Sequence, residues 1–288
     1  MHPRYEVAQR QRVVAELIPR VRSLALIAKS AGQGLNIDAE EADRLSLSLD
    51  IFAALATDPS LDHWDGLGIV VQTYSQRASF VLDWLYELAG QTKRRLMVRL
   101  VKGAYWDTEI KRAQALGLSG FPVFTSKAVT DISYLACARK LLSMTERMYP
   151  QFATHNAHTV QAVLHMAKAM GRPTHTFEFQ RLHGMGEVLH SLVMQRYSSR
   201  CRIYAPVGAH KDLLAYLVRR LLENGANSSF VNQIVDQSVP ADVVAVDPFA
   251  LPIRQQALPT GATLFAPERK NSQGWDISDL TTLQRVDQ

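Results

Sequence analysis

The sequence is poor in cysteine, in long apolar runs and in the short motifs that mark several enzyme classes. Cys137 and Cys201 are its only cysteines, and no CxxC or metal-like Cys/His spacing occurs. We therefore expect a reduced, cytoplasmic setting and no resident metal. No apolar run approaches the ~18 residues of a membrane span, and the N-terminus does not read as a signal peptide. GxSxG, HExxH, P-loop and GxGxxG motifs are also missing, which argues against the enzyme classes built on them.

The composition is that of an ordinary soluble globular chain. At 288 residues, with 47% apolar and 20% charged residues, the protein can bury a large core. The net charge is +5, and the basic residues are spread along the sequence. This balance points weakly to an acidic partner such as a small anion or a membrane surface, and we expect no nucleic-acid binding.

Strand and helix patterns alternate along most of the chain. Six short apolar runs, rich in β-branched or aromatic residues, predict buried strands at 35–39, 68–74, 96–103, 152–156, 176–180 and 201–206. Amphipathic stretches between them predict helices at 7–29, 77–90, 128–146, 159–170 and 209–223. Strands alternating with helices favour an α/β fold with a parallel sheet and its helices outside.

Each predicted strand carries a polar side chain at or near its end. These residues are Asp38, Gln72, Arg99 and Lys102, Thr154 and His155, Gln180, and Tyr204. One such residue is ordinarily a helix cap or a loop position, but six in register favour a (β/α)8 TIM-type barrel. In that fold the strand C-termini share one pocket.

The predicted barrel is incomplete, because six strands are found and two are missing. Residues 1–237 are expected to form the barrel, with the missing strands upstream of Met1. Residues 238–288 are rich in Pro, Asp, Gly, Gln and Ser, and they predict an irregular linker.

Two adjacent arginines on a predicted helix raise a separate question. Arg219 and Arg220 point about 100° apart, and Glu223 lies four and three residues further along. A solvated charge cluster is one interpretation. The other is a clamp that holds one carboxylate between two guanidinium forks. Apolar residues nearly surround this helix, which argues against a fully solvated charge cluster. Neither interpretation is therefore favoured over the other.

Two loops after predicted strands could receive a ligand. In "VRLVKGAYWD" (98–107), an arginine and a lysine are followed by small residues and two aromatic residues. This order suits a flavin or a phosphate ligand. The alternative interpretation is a salt bridge at the strand end beside core aromatic residues. "FATHNAHT" (152–159) places His155 and His158 where Thr154 or Asn156 could cap the next helix. A metal there would need further ligands, and none stands out.

Seven ordered segments resemble the proline dehydrogenase domain family of bifunctional bacterial proline utilisation proteins. They are "NIDAEE", "VVQTYSQR", "RLMVRLVKGAYWD", "YPQFATHNAHT", "EFQRLHGMGE", "CRIYAPVGAH" and "YLVRRLLENGANSSFVN". The resemblance runs from His2 to about residue 240, and the tail looks like the linker toward an aldehyde dehydrogenase domain.

The resemblance implies an activity and a set of site residues. The family oxidises L-proline to Δ1-pyrroline-5-carboxylate by hydride transfer to N5 of non-covalently bound FAD, and electrons pass to a membrane quinone. Arg219 and Arg220 would bind the substrate carboxylate, with Glu223 as their ion-pair partner, while Tyr204, Leu182 and Asp38 would line the substrate pocket. The flavin would be held by Gln72, Arg99, Lys102, Gly103, Ala104, Tyr105, Trp106, Thr154, His155, Asn156 and Gln180. We expect a cytoplasmic protein with peripheral membrane contact, and a homo-oligomer is one option left open.

The chain departs from the family pattern at its start. The family has two barrel strands before the "HPRY" segment, and the second ends in a "KLSA"-like stretch that contributes to the active site. This departure keeps a second hypothesis open, an inactive or partner-dependent fragment without bound flavin. A third hypothesis is an unrelated phosphate-binding barrel enzyme.

Overall fold

The computed structural model describes residues 5–225, 240, 243, 245–251 and 258–288. In chain order its helices and strands are α1 (Arg10–Ser30), β1 (Leu35–Ile37), α2 (Leu45–Ala56), β2 (Leu67–Gln72), α3 (Ala78–Thr92), β3 (Leu96–Val101), α4 (Trp106–Ala115), α5 (Lys127–Ser143), β4 (Met148–Ala153), α6 (Ala157–Ala169), β5 (Glu178–Leu182), α7 (Glu187–Tyr197), β6 (Cys201–Tyr204), α8 (His210–Gly225) and α9 (Leu280–Val286).

The six strands form one parallel sheet in sequence order, β1 to β6. Val70 pairs with Arg99, and Arg99 with Gln151, while Leu182 pairs with Tyr204 at the far side of the sheet. Within the described residues, β1 and β6 each pair with one neighbour only. Parallel strands in sequence order with intervening helices are the wall of a (β/α) barrel, and all six predicted strands are present.

The main core lies between the sheet and its helices. On β3, Leu96 and Leu100 are fully buried, whereas the alternate residues are only half-buried because they face the other side of the sheet. Burial of one such leucine contributes about 2–3 kcal/mol. Phe152, Phe177 and Phe179 extend this core with ring centroids 5.6–6.2 Å apart.

Local sequence explains where the helices lie. The buried residues of α3 recur every three or four positions, from Ala78 through Leu82 and Leu85 to Ala89. At the start of α6, the Asn156 side chain accepts a hydrogen bond from the Thr159 amide (2.9 Å), which makes Asn156 the N-cap.

Some element bounds differ from the sequence prediction. β4 begins at Met148, four residues earlier than expected, and ends at Ala153, three residues earlier, so Thr154 and His155 lie in the loop beyond the strand. β5 lies two residues later than predicted. Helices α2 and α4 were not predicted, since "LSLSLD" in α2 alternates like a strand and α4 has few apolar residues.

The tail is less irregular than the composition indicated. It contains α9, and residues 258–274 pack against the C-terminal end of α4. The predicted domain boundary at residue 237 lies outside the described residues and stays a prediction.

Candidate active site

Five of the predicted site residues share the concave face of the sheet. Paired residues of neighbouring parallel strands point to the same side, and so do residues two apart on one strand. Arg99 faces away from the helix-covered side, and the register carries the same orientation to its neighbours. The concave-face set is Gln72, Arg99, Gln180, Leu182 and Tyr204.

Arg99 lies at the centre of this face. Its Nη1 is 3.6 Å from Oδ1 of Asp38, which follows β1, and its guanidinium carbon lies 5.1 Å from the ring centroid of Tyr204 on β6. The side chain is 15% exposed, and its Nε atom is buried with no hydrogen-bond partner among the described residues. One largely buried cation therefore joins the ends of β1, β3 and β6 and retains an unused donor.

The loop after β3 is tied to β2 and to α5. The Ala104 amide donates to Oε1 of Gln72 (3.2 Å), whose Nε2 donates to the Glu40 carbonyl (2.6 Å). Lys102 forms an ion pair with Asp131 on α5. Burial lowers the pKa of Lys102, and Asp131 opposes that effect.

Gly103 is required at its position in this loop. Its φ of +144° is a conformation that other residues rarely adopt, and a Cβ there would lie 2.5 Å from the ring of Tyr74. Ala104 beside it is exposed. The backbone of this segment is therefore open to a planar or anionic ligand.

The paired arginines of α8 diverge toward two different tyrosines. The Arg219 guanidinium carbon lies 5.3 Å from the ring centroid of Tyr105, whereas that of Arg220 lies 5.4 Å from the ring of Tyr216 on the same helix. Burial raises the pKa of Tyr105, and Arg219 opposes that rise. The side chain of Glu223 lies outside the described residues, so its predicted ion pair stays a prediction.

Tyr105 is followed by Trp106, the first residue of α4. The Trp106 indole Nε1 donates to the Phe124 carbonyl (2.9 Å), which fixes the ring against the loop before α5. The contact of Arg219 with Tyr105 thus links α8 to the loop after β3.

His155 connects the ends of β4 and β5. Its Nε2 accepts a hydrogen bond from the Leu182 amide (3.0 Å), so this nitrogen is unprotonated. Burial, followed by His190 and Arg220, lowers the pKa of His155 to about 4. His190 itself is hydrogen-bonded to the Thr154 carbonyl (3.0 Å). The neutral imidazole can hold the Leu182 backbone throughout the physiological pH range.

A buried carboxylate beneath this cluster escaped the sequence analysis. Glu178 on β5 accepts two hydrogen bonds from Arg202 (2.8 and 3.0 Å) and one each from Gln151 (3.0 Å), Gln180 (2.8 Å) and the Tyr149 hydroxyl (3.4 Å). Asn36 extends the chain by donating to Gln151 (2.8 Å). Burial raises the pKa of Glu178, but the bonds from Arg202 and Gln180 outweigh it and leave the pKa below its usual value.

The signal for Glu178 was present in "TFEFQ". Strict alternation with Phe177 and Phe179, both fully buried, places Glu178 and Gln180 on the opposite face. The Gln180 side chain is oriented by Glu178 rather than free to turn. The sequence predicted Gln180 as a site residue, but it did not predict the Glu178 carboxylate that orients the Gln180 side chain.

His158 is separated from His155, although the two lie three residues apart. It lines a groove of about 790 Å³ between α5 and α6, on the outside of the sheet, with His165 and Met170. Among the residues that the structure describes, no group of three or more His, Cys, Asp or Glu side chains is arranged to hold a metal ion. None of the described helices is both long and apolar enough to span a membrane.

Comparison with known proteins matches this chain to a protein family. The family model described as "Proline dehydrogenase" matches residues 2–233. The bifunctional protein PutA of Rhizobium meliloti is 53% identical over 295 residues, covering 98% of this chain and 24% of the relative. The corresponding protein of Escherichia coli K12 is 51% identical over 295 residues, covering 97% of this chain and 22% of the relative. The chain thus spans about a quarter of the length of these relatives.

Solved structures agree with that match. A variant of proline utilization A from Bradyrhizobium japonicum superposes with a TM-score of 0.94 at 54% identity, covering 99% of this chain and 30% of that one. Proline utilization A from Bdellovibrio bacteriovorus, inactivated by N-propargylglycine, gives a TM-score of 0.89 at 30% identity over 99% of this chain and 29% of that one. The prediction of an incomplete TIM-type barrel is confirmed, since the six strands form a curled half-barrel of that fold.

Proposed function

Because the chain belongs to the proline dehydrogenase family, we propose that it oxidises L-proline to Δ1-pyrroline-5-carboxylate with FAD as the hydride acceptor. The observation that carries this proposal is a pair of cationic and aromatic contacts, Arg99 over Tyr204 on the concave face and Arg219 of α8 over Tyr105 in the loop after β3. FAD, when bound, would supply the hydride acceptor at its N5 atom, and every other role falls to the protein's own residues.

The residues after β3 and β4 fit a flavin. The Nε of Arg99 is buried and has no hydrogen-bond partner among the residues that the structure describes, and a cation at this position favours negative charge on the flavin. Gln72 and the exposed backbone at Gly103 and Ala104 lie beside it. Lys102, Trp106, Thr154, His155, Asn156 and Gln180 would hold or support the rest of the cofactor.

Substrate positioning would fall to the α8 side of the site. Arg219 and Arg220 would swing from their tyrosines to hold the proline carboxylate, with Glu223 fixing one guanidinium. Tyr204 and Leu182 would pack against the substrate ring, Tyr105 would lie in the loop beside the flavin, and Asp38 would remain paired to Arg99. Orientation is the main catalytic contribution here, because hydride transfer needs an anchored donor rather than a nucleophile.

The contact between Arg219 and Tyr105 suggests a variant with a matched control. Arg219→Met should raise KM for L-proline about tenfold or more, because a charge-assisted hydrogen bond contributes about 1.5–3 kcal/mol. Arg196→Met is the control, since Arg196 also lies over a tyrosine ring (5.7 Å to Tyr197) but is exposed on α7. Steady-state dye reduction measures both variants. Equal KM values for L-proline in the two variants would show that Arg219 does not bind the substrate.

The electron acceptor and the cellular location are also proposed from membership of the family. Electrons would pass to a membrane quinone, with the chain cytoplasmic and peripherally bound to the membrane. Self-association into a homo-oligomer is compatible with this arrangement. Quinone reduction in the presence of lipid vesicles, compared with reduction of a soluble dye, tests the electron acceptor.

A second candidate is a partner-dependent domain that needs further polypeptide to complete its sheet. The observation favouring it is an uncovered apolar surface beside β6. The exposed side chains there are Val188 (75%), Leu192 (59%), Ile203 (52%), Val207 (95%) and Leu214 (62%). In this case the purified chain would bind FAD weakly, and co-expression with the two missing strands of a relative would restore proline-dependent dye reduction.

A further inference from the structure

The tail segment 258–274 is joined to α4 by backbone contacts. The Gly274 amide donates to the Gly117 carbonyl (3.0 Å), immediately after α4. From the helix side, Nε2 of Gln114 donates to the Pro259 carbonyl (2.7 Å). Two hydrogen bonds of opposite direction therefore hold the segment to the C-terminal end of this helix.

Glycines make this approach possible. A Cβ on Gly274 would overlap the Leu116 carbonyl oxygen, and one on Gly261 would overlap the Gln114 carbonyl oxygen. Gly117, at φ +66°, faces the Ser272 carbonyl, which would lie 2.6 Å from its Cβ. All three obstacles are backbone atoms that cannot rotate away, so a side chain at any of these positions would force the segment off the helix.

The same segment places an apolar side chain beneath the loop after β3, residues 103–106, which is proposed to contact the flavin. Leu258 packs on a small core formed by Tyr74, Ile110 and Val123, together with Trp106. The Tyr74 ring of this core is the surface against which Gly103 lies. The small core is distinct from the main core, so the Gly103–Trp106 stretch rests on a foundation to which the tail contributes.

The other side of α4 is anchored to the loop after β1. Glu109 accepts a hydrogen bond from the Ala42 amide (2.6 Å), and Arg112 pairs with Asp43 (2.7 Å). The helix is therefore fixed between the β1 loop and the tail. Loss of the tail contact would leave its C-terminal end held on one side only.

We propose that tail segment 258–274 is a positioning element that fixes α4, and through it the Gly103–Trp106 segment, in the geometry that receives the cofactor. The part concerning the cofactor rests on the proposed function. The mechanical part rests on the contacts alone: a tail removed from α4 should loosen the Gly103–Trp106 segment in the absence of any ligand.

The test compares two glycine-to-alanine variants of the full chain. Gly274→Ala should detach the segment, whereas Gly120→Ala is the control, because a Cβ on Gly120 meets nothing within 4 Å. Hydrogen exchange of peptides covering residues 103–118 should rise about tenfold or more in Gly274→Ala, corresponding to about 1.4 kcal/mol, and stay at the wild-type rate in Gly120→Ala. Leu258→Ala removes an apolar contact without a backbone clash, and it should produce a smaller rise in the same peptides.

Cofactor binding supplies the second measurement. FAD titration should give a dissociation constant at least about tenfold higher for Gly274→Ala than for Gly120→Ala. Wild-type exchange rates in both Gly274→Ala and Leu258→Ala would overturn the proposal, as would faster exchange with unchanged FAD affinity. If the wild-type chain binds no FAD, the proposed function fails. Exchange of residues 103–118 still decides whether the tail positions the segment.

Discussion

Glu178 should be the most sensitive polar residue of the concave face. It is 4% exposed at the side chain and accepts five hydrogen bonds, two of them from Arg202. Glu178→Gln keeps the volume but removes the charge that Arg202 needs. Hydrogen bonds to a charged group contribute about 1.5–3 kcal/mol each. Arg202 is 61% exposed and can be rehydrated, so we expect a net loss of about 2 kcal/mol in the free energy of unfolding.

Urea unfolding followed by circular dichroism measures this loss. Glu187→Gln is the matched control, since Glu187 pairs with Arg181 at 3.5 Å but is 62% exposed, and its loss should stay within about 0.5 kcal/mol. The Glu178→Gln and Arg202→Met double-mutant cycle should give a coupling of about 1–2 kcal/mol. A Glu178→Gln cost no larger than that of the control would refute the reasoning.

The pH dependence of this effect has a defined sign. The pKa of Glu178 is lowered in the folded state, so its stabilising contribution is present above the unfolded value, near 4.3, and is lost as pH falls through the folded value. The stability difference between wild type and Glu178→Gln should therefore shrink in acid. A difference that grows below pH ~4 would contradict the assigned direction.

Two further predictions follow from the loops around the site. Gly103→Ala should lower the free energy of unfolding by about 1–3 kcal/mol and weaken FAD binding, because Gly103 has a φ of +144° and lies against the Tyr74 ring. Gly120→Ala should do neither. Equal urea midpoints for the two variants would contradict a steric requirement for glycine at position 103. The pKa of His155, lowered to about 4, lies below the unfolded value near 6.5, so its contribution is complete above about pH 6.5 and is lost as pH falls to 4. Between pH 7.5 and 5, wild type should lose more stability in urea than His155→Asn, by about 1–2 kcal/mol, and parallel pH profiles would contradict this.

Strand order and the polar strand ends were predictable because both follow from periodicity. β-branched runs and their terminal polar residues repeat along the chain, and a parallel sheet brings those ends to one side. β4 was misplaced because Pro150 lies inside it, and a proline weakens a strand pattern. The apolar part alone, from Phe152 onward, resembled the strand.

The contacts that define the site were not predictable, because they depend on register across several strands. The sequence indicates that Arg219 and Arg220 diverge, but the choice of Tyr105 for one and Tyr216 for the other is tertiary. Glu178 was overlooked because its donors come from β4 and β6 as well as β5. Likewise, Gly274 was predicted to belong to an irregular linker, although it lies against the C-terminal end of α4.

Anaerobic titration of the FAD-loaded chain with L-proline tests the central claim most directly. The account predicts that L-proline bleaches the blue absorption band of the flavin to the extent of one equivalent per chain. L-tetrahydrofuroic acid, with oxygen in place of the ring nitrogen, should compete with this reduction. A flavin band that dithionite bleaches but L-proline leaves unchanged would contradict proline oxidation by this chain.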